Sequence, residues 1–367
     1  MLVCLLLVSA LAAGINFFVD PYGVNNARRI DGFNAFKVDI NAHARLLKKY
    51  QPAFNEYNAL ILGNSRVEMG LDPAHQCFAR AGMQVYNLGV PGAGLARQFA
   101  YAMNVIHEQP VEYVLLSVDF IDYLSTSQSR VTERPIYMQD GEGSLKYFPN
   151  GEVNEAFASV KLKDYFRALF SLDALISSVK TVALQGRAAT DRDERGFNPG
   201  LDFASMVKVE GAHALFDQKL GDLTAKYGRP WYFRDARGKT SNVMRDLEAF
   251  LDFATARGMT VIVFVNPLHQ AFWQLMESNG HMPLYEDWLH ETKQLLGKYA
   301  DSGVTLWDFS QPSAYNSEPV PTAEDKAGAL QWFWEPSHYR RELGDLMIEA
   351  MLADHCATQA VFGQRLQ

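Results

Sequence analysis

The chain has 367 residues, 48% of them hydrophobic and 21% charged, with a formal net charge of −8. This is globular composition, and the length allows two domains or one α/β domain with a long insertion. No basic stripe runs through the sequence, which argues against a nucleic-acid partner, and there is no internal repeat or low-complexity tract.

Residues 1–19, "MLVCLLLVSALAAGINFFV", carry no charged side chain, and about 20 apolar residues cross a bilayer as a helix. They read as a transmembrane anchor or as a secretory signal cut after Ala10-Leu11-Ala12. Apolarity continuing through Phe17, Phe18 and Val19 favours the anchor over the signal, and uniform apolarity disfavours a buried core helix. Arg28 and Arg29 follow the segment and no Lys or Arg precedes it. The positive-inside rule would then put the body in the cytoplasm; a basic leader ahead of this start site would reverse that expectation. Residues 20–56 read as a stalk and a helix leading into the body.

Five apolar runs bounded by turn residues read as strands: "NALIL" (58–62), "QVYNL" (84–88), "YVLLSV" (113–118), "TVIVFV" (260–265) and "VTLWDF" (304–309). Helical patterns follow the second (95–108), precede the fourth (242–258) and the fifth (285–303), and close the chain (341–355). Continuously apolar strands alternating with helices predict a buried parallel sheet with helices on both faces. Residues 57–120 and 241–358 form this α/β domain. Residues 121–240 carry their own amphipathic periodicity and read as an inserted helical subdomain or lid, because an unstructured loop of that length is uncommon.

Ligands of open parallel sheets bind beyond the carboxyl ends of the strands. The first strand delivers Gly63-Asn64-Ser65-Arg66 there, the second "YNLGVPGAG", the third Ser117-Val118-Asp119-Phe120, and the fourth Asn266-Pro267-Leu268-His269. The fifth leads through an aromatic-rich loop to "WFWEPSHYRREL". Ser65 is either part of a helix cap or a nucleophile. A serine nucleophile needs a base, and the base an orienting partner. Glu335 and His338, three apart ahead of the last helix, supply both: the carboxylate reaches Nδ1–H and leaves Nε2 for Ser65. An oxyanion needs N–H donors. The backbone of Gly89 and of Ser65 suits that role, with the side-chain amides of Asn64 or Asn266 as further donors.

The order of these blocks resembles the SGNH hydrolase superfamily, which has a Ser in a Gly-Asp-Ser-like turn after strand one, a Gly after strand two, an Asn after strand three, and Asp-x-x-His before the last helix. The matching residues are "GNS" with Ser65, "NLGVPG" with Gly89, and "EPSH" with Glu335 and His338. The likeness covers 58–120 and 258–355 and leaves the insertion unmatched. Two positions depart from it. Glu335 stands where Asp is usual, and Asp119 where the oxyanion Asn is expected, although an ionised carboxylate cannot donate. Asp119 is therefore expected at the mouth of the Ser65 pocket, accepting from Arg66 or a backbone N–H, with Asp119→Asn leaving activity unchanged or higher. The fuller pattern "FFVDPYGV", "GNSRVEMGLDP", "NLGVPGAG" and "PSHY" resembles bacterial membrane-anchored SGNH-like proteins of cell-envelope polysaccharide systems. Some relatives of that kind, including alginate O-acetylation proteins, move acetyl groups onto extracytoplasmic polymers.

The resemblance implies a flavodoxin-like three-layer sandwich with a five-stranded parallel sheet in the order 2-1-3-4-5. It implies serine-dependent O-acetyl transfer to an extracytoplasmic polysaccharide such as an exopolysaccharide, on a membrane-anchored protein with a periplasmic body. A membrane acyl-donor protein is the implied further partner, and no cofactor or metal is expected. The alternatives are a carbohydrate esterase and a non-catalytic polysaccharide-binding or assembly factor retaining the fold.

Blander readings accompany several residues. His269 is a rival base without a nearby acid in sequence, and His75 reads as a surface helix residue. "GVPGAG" has its glycines in the reverse order of the dinucleotide fingerprint. Trp334, with Trp332 and Phe333, either stacks on a sugar or packs in the core, the latter being favoured. In the strand order above, right-handed crossovers put the first and last helices on one sheet face, so Cys77 and Cys356 are expected near each other, as a disulfide or as two buried thiols.

Overall fold

The computed structural model describes residues 1–133, 143–186, 191–357 and 361–367; parts of the expected insertion, 134–142 and 187–190, and the end of the expected domain, 358, lie outside them. The central sheet is built from β1 (Ala59–Gly63), β2 (Val85–Gly89), β3 (Tyr113–Val118), β4 (Thr260–Val265), β5 (Val304–Asp308) and β8 (Gln364–Arg365), in the order β2-β1-β3-β4-β5-β8. The first five pair in parallel, whereas β8 pairs antiparallel to β5. The expected five-stranded all-parallel sheet is thus corrected to a six-stranded mixed one. The added strand has two residues and no apolar run, so periodicity does not reveal it. Phe333–Glu335 (β6) and His338–Tyr339 (β7) form a separate hairpin.

Alternate strand residues point to opposite faces, and each face has its own core. Leu60, Leu62, Leu88, Val114, Leu116 and Val263 pack on one side with α5 (Leu95–Ile106), α10 (Asn242–Ala256) and α12 (Met282–Gly297). Ala59, Ile61, Val85, Leu115 and Phe264 pack on the other with α3 (Ser65–Gly70), α4 (Gln76–Arg80) and α13 (Arg341–Met351). That shared face brings Cys77, on α4, and Cys356, beyond α13, into a disulfide with Cα atoms 4.9 Å apart.

The remaining helices are α1 (Leu2–Val19), α2 (Ala44–Tyr50), α6 (Phe157–Phe170), α7 (Leu172–Ala183), α8 (Leu201–Glu210), α9 (Ala212–Tyr227) and α11 (Gln270–Ser278). By length and composition α1 can cross a membrane. Its carboxyl end is tied to the body: Lys37 Nζ donates to Val19 O at 2.7 Å, and Asn34 Nδ2 to Phe18 O at 3.1 Å. Helices α6 to α9 come from the expected insertion. The strand order reverses its winding beside β1, so β1 and β3 open a crevice at their carboxyl ends.

Candidate functional site

Ser65 stands at that crevice because β1 stops at a glycine. A Cβ on Gly63 would lie 2.6 Å from Val67 Cγ2 and 2.9 Å from Ser117 Cβ, so the tight strand-to-helix turn admits no side chain there. Asn64 caps α3, its Oδ1 accepting from Arg66 N at 3.0 Å. The cap and nucleophile readings of the turn are therefore compatible: Asn64 does the capping and leaves Ser65 at the first helical position, partly exposed.

Ser65 Oγ lies 2.7 Å from His338 Nε2, and His338 Nδ1 meets Glu335 Oε1. Sequence places the acid and base before the last helix; the structure puts them on the β6–β7 hairpin, where Glu335 and His338 are register partners across the two-residue turn Pro336-Ser337. Directly opposed residues project to the same side of a hairpin, which is why a three-residue spacing joins carboxylate to imidazole. Glu335 is buried. Burial pushes its pKa up, but the His338 charge and hydrogen bond, with Ser337, outweigh this and hold it below the usual carboxylate range. With Nδ1–H on the carboxylate, Nε2 is left to accept the Ser65 proton.

Asp119 directly follows β3 and is the centre of a buried network. Its Oδ2 accepts from Arg66 Nη1 at 2.8 Å and from Asn64 Nδ2, and its Oδ1 accepts from Asn266 Nδ2 at 2.9 Å. The order β1-β3-β4 makes these strand-end residues neighbours. Arg66 Nε in turn donates to Ser337 O at 2.9 Å, joining the nucleophile turn to the base-bearing hairpin. Burial alone would lower the Arg66 pKa, but the Asp119 charge overrides it and the guanidinium titrates above its ordinary value.

This network revises the expected oxyanion donors. Asn266 spends both amide hydrogens, on Asp119 and on Ser117 Oγ at 2.6 Å, so it has none for a substrate. Gly89 N–H donates to Asn87 Oδ1 at 2.9 Å and is likewise occupied. Gly89 is needed for space: a Cβ there would lie 2.8 Å from Asn64 O and from Glu68 N. Asn64 keeps one amide hydrogen beyond its bond to Asp119, and Ser65 N has no partner among the described residues. Gly92, in the loop leaving β2, adopts φ +64° with nothing within 4 Å of a Cβ.

Trp334 is not a sugar platform. It is 8% exposed, with the Arg340 guanidinium 4.4 Å over its ring and Gly200 packed against it. The aromatic beside the base is instead Phe203 of α8, its ring 5.9 Å from that of His338. His269 is excluded as a base by its partners: Nδ1 caps Ala271 N, and Nε2 bonds Glu318 O. His75 caps α4, its Nδ1 accepting from Cys77 N.

Sequence reading missed Phe203 and the buried group Lys48, Glu68 and Arg192, and gave Asn87 no partner. Glu68, one turn beyond Ser65, takes Arg192 Nε at 2.7 Å and Nη2 at 3.0 Å, with Lys48 Nζ 3.4 Å away. Burial pulls the Lys48 pKa down to about 8 against the opposing pull of Glu68. No local pattern marks charges that only the tertiary fold buries. A cleft of about 400 Å³ lined by Lys49, Tyr50, Asn104 and Phe157 contains none of the triad residues; Ser65 and His338 are each partly exposed.

No protein-family model matches the chain, and no curated protein matches its sequence.

Proposed function

We propose that this is a membrane-anchored, SGNH-like serine acyltransferase with a flavodoxin-like three-layer sandwich, which O-acetylates an extracytoplasmic polysaccharide. The observation that carries the chemistry is the chain Ser65 Oγ–His338 Nε2, His338 Nδ1–Glu335. Ser65 Oγ attacks the acyl carbonyl while His338 Nε2 takes its proton, and Glu335 offsets the imidazolium charge. Collapse of the tetrahedral intermediate expels the donor's alkoxide or thiolate, which recovers the proton from His338. A sugar hydroxyl then attacks the acyl-serine, His338 again removing and returning one proton. Ser65 N–H and the remaining Asn64 amide hydrogen are the proposed oxyanion donors.

Partial exposure of Ser65 and His338 leaves the pair accessible to an acceptor hydroxyl from solvent. The Cys77–Cys356 bridge supports an oxidising compartment outside the cytoplasm. A membrane acyl-donor protein would supply the acetyl group.

The test is the detergent-solubilised full chain with an activated acetyl ester, with and without a glycan acceptor. Acetyl transfer to glycan supports the proposal. Hydrolysis alone makes the protein an esterase, and neither reaction makes it a non-catalytic carbohydrate-binding factor.

A further inference from the structure

The α6–α7 hairpin is amphipathic in the reverse sense of a soluble helix pair. On α6, Leu162 is 72% exposed, with Phe166 and Phe170 on the same stripe; on α7, Leu172 is 69% exposed and Val179 60%, with Ile176 between them. Spacings of three and four residues put each set on one helix face. The buried face of α7 is Ala174, Ser177, Ser178 and Thr181. Small and hydroxyl residues thus point inward and large apolar ones toward solvent.

What the inward face packs against is α1. Asn16 of α1 is fully buried; its Nδ2 donates to Leu169 O at 2.8 Å and its Oδ1 accepts from Ser178 Oγ at 2.7 Å. The side of α1 turned to the hairpin is small as well, with Ser9, Ala12 and Ala13 half-covered, whereas Leu7, Leu11 and Phe18 are exposed. Small residues and side-chain hydrogen bonds at helix interfaces, with large apolar residues outside, are how helices associate where lipid is the solvent.

We propose that α6 and α7 are embedded in the bilayer interface beside α1, so that the protein holds its membrane by an anchor and a hairpin together. Helices of 14 and 12 residues are roughly 21 and 18 Å long, too short for a ~30 Å hydrocarbon core; they lie in the interface and do not span. The charge agrees. Lys161, Lys163 and Arg167 are exposed on α6, while Asp164 turns inward to Lys49 at 2.8 Å. Asp173 is the exposed acid of α7. A basic, apolar-faced helix suits anionic headgroups. The catalytic face would then be held at a set distance from the membrane and from any acyl donor within it.

The inference rests on α1 being a membrane helix, and the test separates the two. The full chain carrying Cys4→Ala is labelled with an environment-sensitive fluorophore at Leu162→Cys, Ile176→Cys, Leu7→Cys or Glu277→Cys. Each is reconstituted into phosphatidylcholine–phosphatidylglycerol vesicles with a lipid-borne quencher. Labels at 162 and 176 should emit blue-shifted light and be quenched as fully as that at 7, and the label at 277 should not. Quenching at 7 alone overturns the hairpin and leaves the anchor. No quenching at any position overturns both. A blue shift at 162 and 176 that rises with protein concentration without quenching makes a second copy the occupant and also overturns the proposal.

Discussion

The carboxyl edge of the sheet and the α1–α6–α7 unit both bury polar side chains, but in opposite settings. At the sheet edge, Asp119, Arg66, Asn64 and Asn266 satisfy one another above an apolar core on each face of the sheet. In the helical unit, Asn16 and Ser178 bond at the centre of a group whose exterior is apolar. The first arrangement ties the Ser65 turn to the hairpin that carries Glu335 and His338. The second joins helices whose outer faces are the ones proposed to meet lipid. One chain therefore has two kinds of interior, and single substitutions should tell them apart.

The largest effect belongs to the sheet edge. Ser65→Ala should lower acyl transfer by on the order of 10⁴-fold or more, with far-ultraviolet circular dichroism unchanged. A residual rate close to wild type breaks the comparison, because the edge would then be ordinary structure. Next is Leu116→Ala, in the fully buried centre of β3, which should cost about 2–5 kcal/mol in urea unfolding.

Asp119→Asn comes third, and here geometry reverses the expectation drawn from sequence. An amide at 119 offers one acceptor oxygen to three donors and turns its own N–H₂ toward at least one of them. About 1–3 kcal/mol of network stability should be lost, and catalysis should fall with it as Arg66 loosens the hairpin. Unchanged or raised activity would show that the carboxylate is dispensable. A pH experiment sharpens the same region. The folded Lys48 pKa, about 8, lies below the ordinary lysine value of 10.5, so between those values the unfolded chain binds more protons. The Lys48 share of stability is full above the unfolded pKa and is lost as pH falls through about 8. Wild-type stability should therefore rise with pH across that window relative to Lys48→Met; parallel curves would remove Lys48 as a buried cation. The smallest effect is Leu162→Ala on the exposed stripe, within about 0.5 kcal/mol in detergent. A cost like that of Leu116→Ala would mean that the outer face is packed after all.

These regions also differ in how much the sequence reveals. The five parallel strands are legible because each is an unbroken apolar run, and Ser65, Asp119 and Asn266 because each follows such a run. Glu335 and His338 are legible as a spaced pair, but their hairpin is not, since Pro336-Ser337 reads equally as a helix approach. The donors assigned to Gly89 and Asn266 fail for a physical reason: a residue's type shows that it can donate, and only the fold shows where the hydrogen goes. In α6 and α7 the period is plain, yet periodicity has no sign. It shows that a helix has two faces and not which one is buried. The partner that decides is Asn16, more than 150 residues away in sequence.

The central claim is that Ser65 is a nucleophile activated by His338. It is tested most directly by treating the full chain in detergent with a serine-directed fluorophosphonate and mapping the adduct by mass spectrometry. A single adduct on Ser65, lost in a folded His338→Ala protein, is the expected result. An adduct on another serine, or an unlabelled Ser65 in a folded sample that still turns over acetyl ester, would contradict it.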